Sequence, residues 1–148
     1  CVEHGVGTLV IGTNRGWKQG ADMGKANDQN FVSVPHDRLR KMIGYKAAKE
    51  GILIVEQEES YTSKADITAM DPMPVYGEEE EMAVFSGKRT ARGLYACSRG
   101  YTVNADCNAA ANILRKAVPG AWDGTEDFRF LAHPDTIGFK ALQRARTA

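Results

Sequence analysis

A helical pattern that runs straight into a four-residue apolar block constrains the fold of this chain more than any other feature. Pro35 suits the start of a helix. Leu39, Met42, Ile43 and Ala47 then recur at helical spacing, with Arg38, Arg40, Lys41, Lys46 and Lys49 on the other faces. Gly51 is placed to end the helix in a left-handed cap. Ile52-Leu53-Ile54-Val55 follows at once, the kind of continuous apolar run that forms a central parallel strand covered on both faces. Thr8-Leu9-Val10-Ile11, ended by Gly12, reads as its partner strand. Together these segments predict a right-handed strand–helix–strand unit and an α/β fold. At 148 residues the chain is long enough for one domain with a real core.

The remaining segments are read from turn formers and short apolar runs. Asn14 to Val34 is polar and Gly-rich, mostly loop, with a brief strand at Phe31–Val34. Glu78–Glu81 repel one another and read as a solvated loop. Val84–Phe85 and Gly93–Ala96, joined by the basic segment Ser86–Arg92, predict a hairpin, and Ser98-Arg99-Gly100 a second turn. From Asn104 to Lys116 the sequence reads as a short loop and then a helix. Asn104 is a good N-cap, Arg115 and Lys116 fall in the last turn, and Ala109, Ala110, Ala111, Ile113 and Leu114 form a small apolar face. Pro119-Gly120 stops regular structure, and Ala121–Ala148, which shows no period, reads as a loosely ordered extension.

Charge and cysteine usage narrow the function classes. Lys plus Arg equals Asp plus Glu, at 19 each, so any surface for nucleic acid must be local. No apolar run reaches membrane-spanning length and nothing resembles a signal peptide. Cys1, Cys97 and Cys107 form no CxxC pair, which argues against a disulfide framework or a complete cysteine zinc site. A chain that begins with Cys1 is expected to be a fragment or a processed product.

Carboxylates mark the candidate chemistry. Glu56, Glu58 and Glu59 lie at the C-terminal end of the apolar strand, where α/β folds place ligands. Strand alternation sets Glu56 and Glu58 on one face and Glu59 on the other, unless a bend follows Glu58. Asp106 stands in the first turn of a helix, at the positive end of its dipole. Hard oxygen ligands of this kind suit magnesium. Each feature also has a plainer reading: a capped surface helix, and glutamates leaving a sheet edge for solvent. Lys18, Lys25, Lys64, Lys88, Arg89 and Arg92 are candidates for phosphate contacts, and Trp17, Phe31, Tyr61 and Tyr95 for stacking on bases. For Phe31 and Tyr95 core packing is the plainer role, as it is for Cys107.

Taken in order, several blocks resemble the C-terminal part of TnpB proteins, the RNA-guided nucleases encoded by insertion sequences and related to type V CRISPR effectors. The blocks are Asn14-Arg15-Gly16-Trp17-Lys18-Gln19, Asn27-Asp28-Gln29-Asn30-Phe31, Glu58-Glu59-Ser60-Tyr61-Thr62-Ser63-Lys64, Gly87-Lys88-Arg89, Arg92-Gly93-Leu94-Tyr95 and Asn104-Ala105-Asp106-Cys107-Asn108-Ala109-Ala110. The similarity runs from about Thr8 to about Trp122. It implies an RNase H-like (RuvC) α/β domain, incomplete at its N-terminus. Residues 1–122 would belong to that domain, with a β-hairpin insertion at 64–100 and an extension at 123–148. Asp106 matches the metal-binding Asp of the third RuvC motif. The second motif usually has a Glu after a strand equivalent to Thr8–Ile11; here Gly12 stands there, and Glu59 or Glu58 becomes the candidate, with the choice between them open. The implied metal ligands are Asp106 and Glu59, and the implied nucleic-acid contacts are Lys18, Lys64, Lys88, Arg89 and Arg92. The implied function is transposon-associated, magnesium-dependent, RNA-guided cleavage of DNA in the cytoplasm, with DNA and guide RNA as partners and no membrane. The four-cysteine zinc ribbon of many relatives is reduced to Cys97 in Ala65–Gly100, so no zinc is expected. The alternative is a non-catalytic nucleic-acid-binding remnant or accessory module.

Overall fold

The computed structural model describes residues 1–13, 36–75 and 83–135. The loop expected at Asn14–Val34 with its strand, the Glu78–Glu81 run, and Trp17, Lys18, Lys25 and Phe31 lie outside the described residues.

Strand β1 (Thr8–Thr13), helix α1 (His36–Lys49) and strand β2 (Leu53–Glu58) form the expected unit, and the two strands are parallel, from Thr8 opposite Leu53 to Thr13 opposite Glu58. Gly12 does not end β1, which continues through Thr13. The end of α1 is set by Gly51, at φ +69°. Gly51 N–H donates to the Ala48 carbonyl and Ile52 N–H to the Ala47 carbonyl, the paired bonds of a Schellman cap. That cap reverses the chain and feeds β2 directly.

Two expectations about this unit are corrected. Among the described residues, Ile52–Val55 is not covered on both faces: β2 pairs there with β1 alone, and Leu53 is 68% exposed. A continuous apolar run does not itself say how many layers cover it. Helix α1 buries Ala47 and half-buries Ile43, while Leu39 and Met42 stay exposed.

The second sheet is antiparallel, in the order β3 (Lys88–Ala91), β4 (Leu94–Ala96), β5 (Thr102–Asn104). The hairpin expected here is present with a shifted boundary. Lys88 and Arg89 lie within the first strand and not in a connecting loop, and the turn is Arg92-Gly93, with Gly93 at φ +77°. Thr102–Asn104, of which the sequence reads only Asn104 as loop, is a strand whose Val103 is fully buried.

Helix α2 (Ala105–Ala117) follows β5 without a break and packs on both sheets. Its N-cap is Asn104, whose Oδ1 accepts from Asp106 N–H and Cys107 N–H. The core gathers Ile67, Tyr95, Cys97, Val103, Ala105, Ala111, Phe128 and Leu131. The segment after Pro119 is therefore not uniformly loose. Phe128 and Leu131 are core residues, and Trp122 Nε1 donates to the Ala111 carbonyl at 3.0 Å. Aromatic anchoring, with ring centroids of Trp122 and Phe128 5.6 Å apart, holds this segment, which contains one short 3-10 helix at Arg129–Ala132. Among the described residues, no helix is long and apolar enough to cross a membrane.

Candidate carboxylate site and basic hairpin

Asp106 lies in the first turn of α2 with its side chain 85% exposed. Arg89 Nη2 of β3 approaches its Oδ1 at 3.7 Å. The hairpin thus brings one guanidinium to the helix start, where backbone N–H groups and the helix dipole already favour negative charge.

Glu58 and Glu59 meet α2 toward its other end. Glu58 Oε2 accepts from Lys116 Nζ at 2.7 Å, and its Oε1 accepts from Ser60 N–H. Lys116 is only 9% exposed at its side chain and also donates to the Ser60 carbonyl at 2.9 Å. Burial opposes the charge on Glu58, but the bonds from Lys116 and Ser60 outweigh it and hold its carboxyl below the usual range. Glu56 lies 3.9 Å from Arg40 of α1.

Glu59 lies beside Gly12. A Cβ built on Gly12 would fall 2.8 Å from Ile113 Cδ1 and nearer still to Glu59 Oε2. The absence of a side chain at position 12 therefore leaves the space that the Glu59 carboxylate fills. Ile113 and Asp106 share one stripe of α2, about 10 Å apart at 1.5 Å of rise per residue. Glu59 thus borders the stripe that begins with Asp106, about two turns along.

Both carboxylates have the hard-oxygen chemistry that magnesium takes. Among the described residues, however, no three His, Cys, Asp or Glu side chains group closely enough to hold a metal ion.

Residues not anticipated from the sequence tie the glutamates to the helix. Asn108 and Asn112 are fully buried on one face of α2. Asn108 Oδ1 accepts from Ile67 N–H at 3.2 Å, and its Nδ2 donates to the Ala65 carbonyl at 2.8 Å. Asn112 Nδ2 donates to the Thr62 and Ala65 carbonyls. The loop that leaves Glu59 is thus hydrogen-bonded to the helix that carries Asp106. Its signal was two asparagines four residues apart among alanines, a polar pair inside an apolar stripe. Asp66 and Asp71 are buried as well.

Of the basic candidates, Lys64, Lys88, Arg89 and Arg92 are all exposed. Lys88, Arg89 and Arg92 belong to the β3–β4 hairpin, and Lys64 Nζ lies 5.6 Å from the Tyr61 ring centroid, which itself stacks on Phe85. Tyr95 is core, 1% exposed, and its hydroxyl donates to the Lys64 carbonyl at 2.6 Å. Burial, with Asp66 and Asp71 nearby, pushes its phenol well above the usual range. Cys107 is half-buried against the core, and desolvation raises its thiol, as expected of a packing residue. Burial beside Asp66 pushes the Cys97 thiol up to about 11.

Fold and site define a mixed α/β domain in which an alanine-rich helix, through two buried asparagines, is bonded to a glutamate-bearing loop and met at its first turn by a basic hairpin. The sequence profile of the Cas12f1-like TNB domain matches residues 36–113, more than half of the chain. The chain belongs to that family and is a TnpB-family protein. It is also similar to the TnpB-like protein ORF457 of Acidianus two-tailed virus, 29% identical over 118 residues. That alignment covers 78% of this chain and 21% of the relative, so the chain spans about a fifth of that protein's length.

Proposed function

We propose that this chain is the C-terminal part of an RNase H-like (RuvC) nuclease domain of the TnpB kind, a transposon-associated DNA endonuclease guided by RNA. Family membership supports the transposon-associated nuclease class. The observation that carries the site is the placement of Glu59 in the space left by Gly12, against the helix that begins with Asp106. A carboxylate from the loop after β2 then stands where a side chain at the end of β1 would otherwise project. Magnesium, when bound, would supply a Lewis acid at the scissile phosphate and a water of lowered pKa. Asp106 or Glu59, which lie about two turns of α2 apart, would contribute to holding it together with carboxylates from another part of the whole protein. Lys64, Lys88, Arg89 and Arg92 would contact phosphates, with Arg89 nearest to Asp106. Guide RNA would read the target by base pairing, leaving backbone contacts and the cutting site to the protein.

The test compares the 148-residue chain with a longer protein that carries it. The chain alone should not cut DNA with or without guide RNA, because among the described residues no three carboxylates group closely enough to hold a cation that dehydrates reluctantly. The longer protein should cut in a magnesium-dependent manner. Robust cutting by the bare chain would contradict the assignment of a shared site.

A further inference from the structure

Between Glu59 and Val75 the chain forms no helix or strand, yet it contains two buried carboxylates, Asp66 at 0% and Asp71 at 4% exposure. Such groups are retained inside a protein only when their oxygens are satisfied. Here the donors come from both ends of the basic hairpin. Asp71 Oδ1 accepts from Ser86 Oγ at 2.6 Å, and Oδ2 accepts from Ser86 N–H and Asp66 N–H, each at 2.8 Å. Ser86 lies just before β3. Asp66 Oδ2 accepts from Ser98 N–H at 2.6 Å, and Oδ1 accepts from Thr68 N–H and Thr68 Oγ1. Ser98 lies just after β4.

A third tie runs between them, from the Tyr95 hydroxyl to the Lys64 carbonyl. Gly87 makes room for it, since a Cβ there would fall 2.6 Å from the Tyr95 ring. The loop itself is held to α2 by Asn108, Asn112 and Arg115, whose Nη2 donates to the Asp71 carbonyl at 2.5 Å. Burial opposes ionisation of Asp66, but the bonds from Ser98 and Thr68 outweigh it and keep the carboxyl below the usual range. At neutral pH Asp66 is therefore an acceptor only.

We propose that Asp66 and Asp71 are positioning residues: a two-carboxylate clamp that grips the basic hairpin before β3 and after β4 and so sets Arg89 opposite Asp106. The role of the hairpin rests on the nucleic-acid reading above; the clamp itself is a statement about geometry. Arg89 is three residues beyond Ser86, in the strand that Ser86 leads into. An amide in place of either carboxylate leaves one oxygen to serve donors that now occupy two.

The experiment uses the full chain with Asp71→Asn and Asp66→Asn, and Ser86→Ala as a milder variant in case the first two do not fold. Amide hydrogen exchange is followed residue by residue, and binding of a single-stranded DNA oligonucleotide is followed against salt. Exchange at residues 88–96 should rise at least tenfold while β1, β2 and α1 keep their protection. The salt slope should fall by on the order of 1, as in the double variant Lys88→Ala/Arg89→Ala. Adding the clamp variants to that double variant should change binding no further. Unchanged hairpin exchange in Asp71→Asn, or in Ser86→Ala where only it folds, overturns the clamp. Unchanged binding in Lys88→Ala/Arg89→Ala instead overturns the hairpin's role, and leaves the clamp to be decided by exchange alone.

Discussion

Replacing Asn108 with alanine should cost the domain about 2–4 kcal/mol, from one orphaned donor and one lost bond. The orphan is Ile67 N–H, in a residue with no solvent exposure and with Asn108 Oδ1 as its acceptor. Leaving it unpaired costs about 1–3 kcal/mol. The lost bond to the Ala65 carbonyl adds only about 1 kcal/mol, because Asn112 still donates to that oxygen. Asn112→Ala strands the Thr62 carbonyl but also removes its own buried, unpaired Oδ1, so it should cost less than Asn108→Ala, about 1–3 kcal/mol. In the double variant the Ala65 carbonyl loses both donors at once. The combined loss should therefore exceed the sum of the single losses by about 1–2 kcal/mol. Urea unfolding with a constant slope measures this cycle. A stabilising osmolyte keeps the double variant folded at zero urea. Additivity to within about 0.3 kcal/mol would refute the shared-acceptor account.

Further predictions concern the neighbouring contacts. Gly12→Ala forces a methyl onto Ile113 and Glu59 and should destabilise the chain by about 1–3 kcal/mol; adding Glu59→Ala should recover part of that loss, and no recovery would separate Glu59 from Gly12. Glu58 has a lowered pKa in the fold, so its pairing with Lys116 stabilises at neutral pH and is lost as pH falls through and below its ordinary value of about 4.3. Lys116→Met should flatten the acid limb of the stability–pH curve, and an unchanged limb would remove the pair from that role. Elemental analysis of the purified chain should find no stoichiometric zinc, and a chelator should leave its melting temperature unchanged; one bound zinc per chain would require a ligand set other than Cys97 alone.

How much was legible in the sequence depends on the length of the pattern. Helix α1, its Gly51 cap and β2 were readable because periodicity and a left-handed cap are local properties. The Asn104 cap and α2 were readable for the same reason. Strand β5 is three residues long, too short to alternate visibly, and exists because Val103 fills the core beside β4. Phe128 and Leu131 gave no period, since single anchors reveal themselves only once Trp122 and α2 are in place. In the candidate site, the glutamates and Asp106 were visible as residue types at element ends. The buried partners Asn108, Asn112, Asp66 and Asp71 were not, because their hydrogen bonds link segments tens of residues apart.

The most direct test of the nuclease assignment is DNA cutting by the Asp106→Ala variant of a longer protein that carries this chain. Cutting is assayed beside DNA binding in the same magnesium buffer. The assignment predicts that cutting is abolished while binding stays close to that of the unmodified protein, since a metal ligand is lost and the phosphate contacts remain. Full cleavage by the Asp106→Ala protein would contradict it.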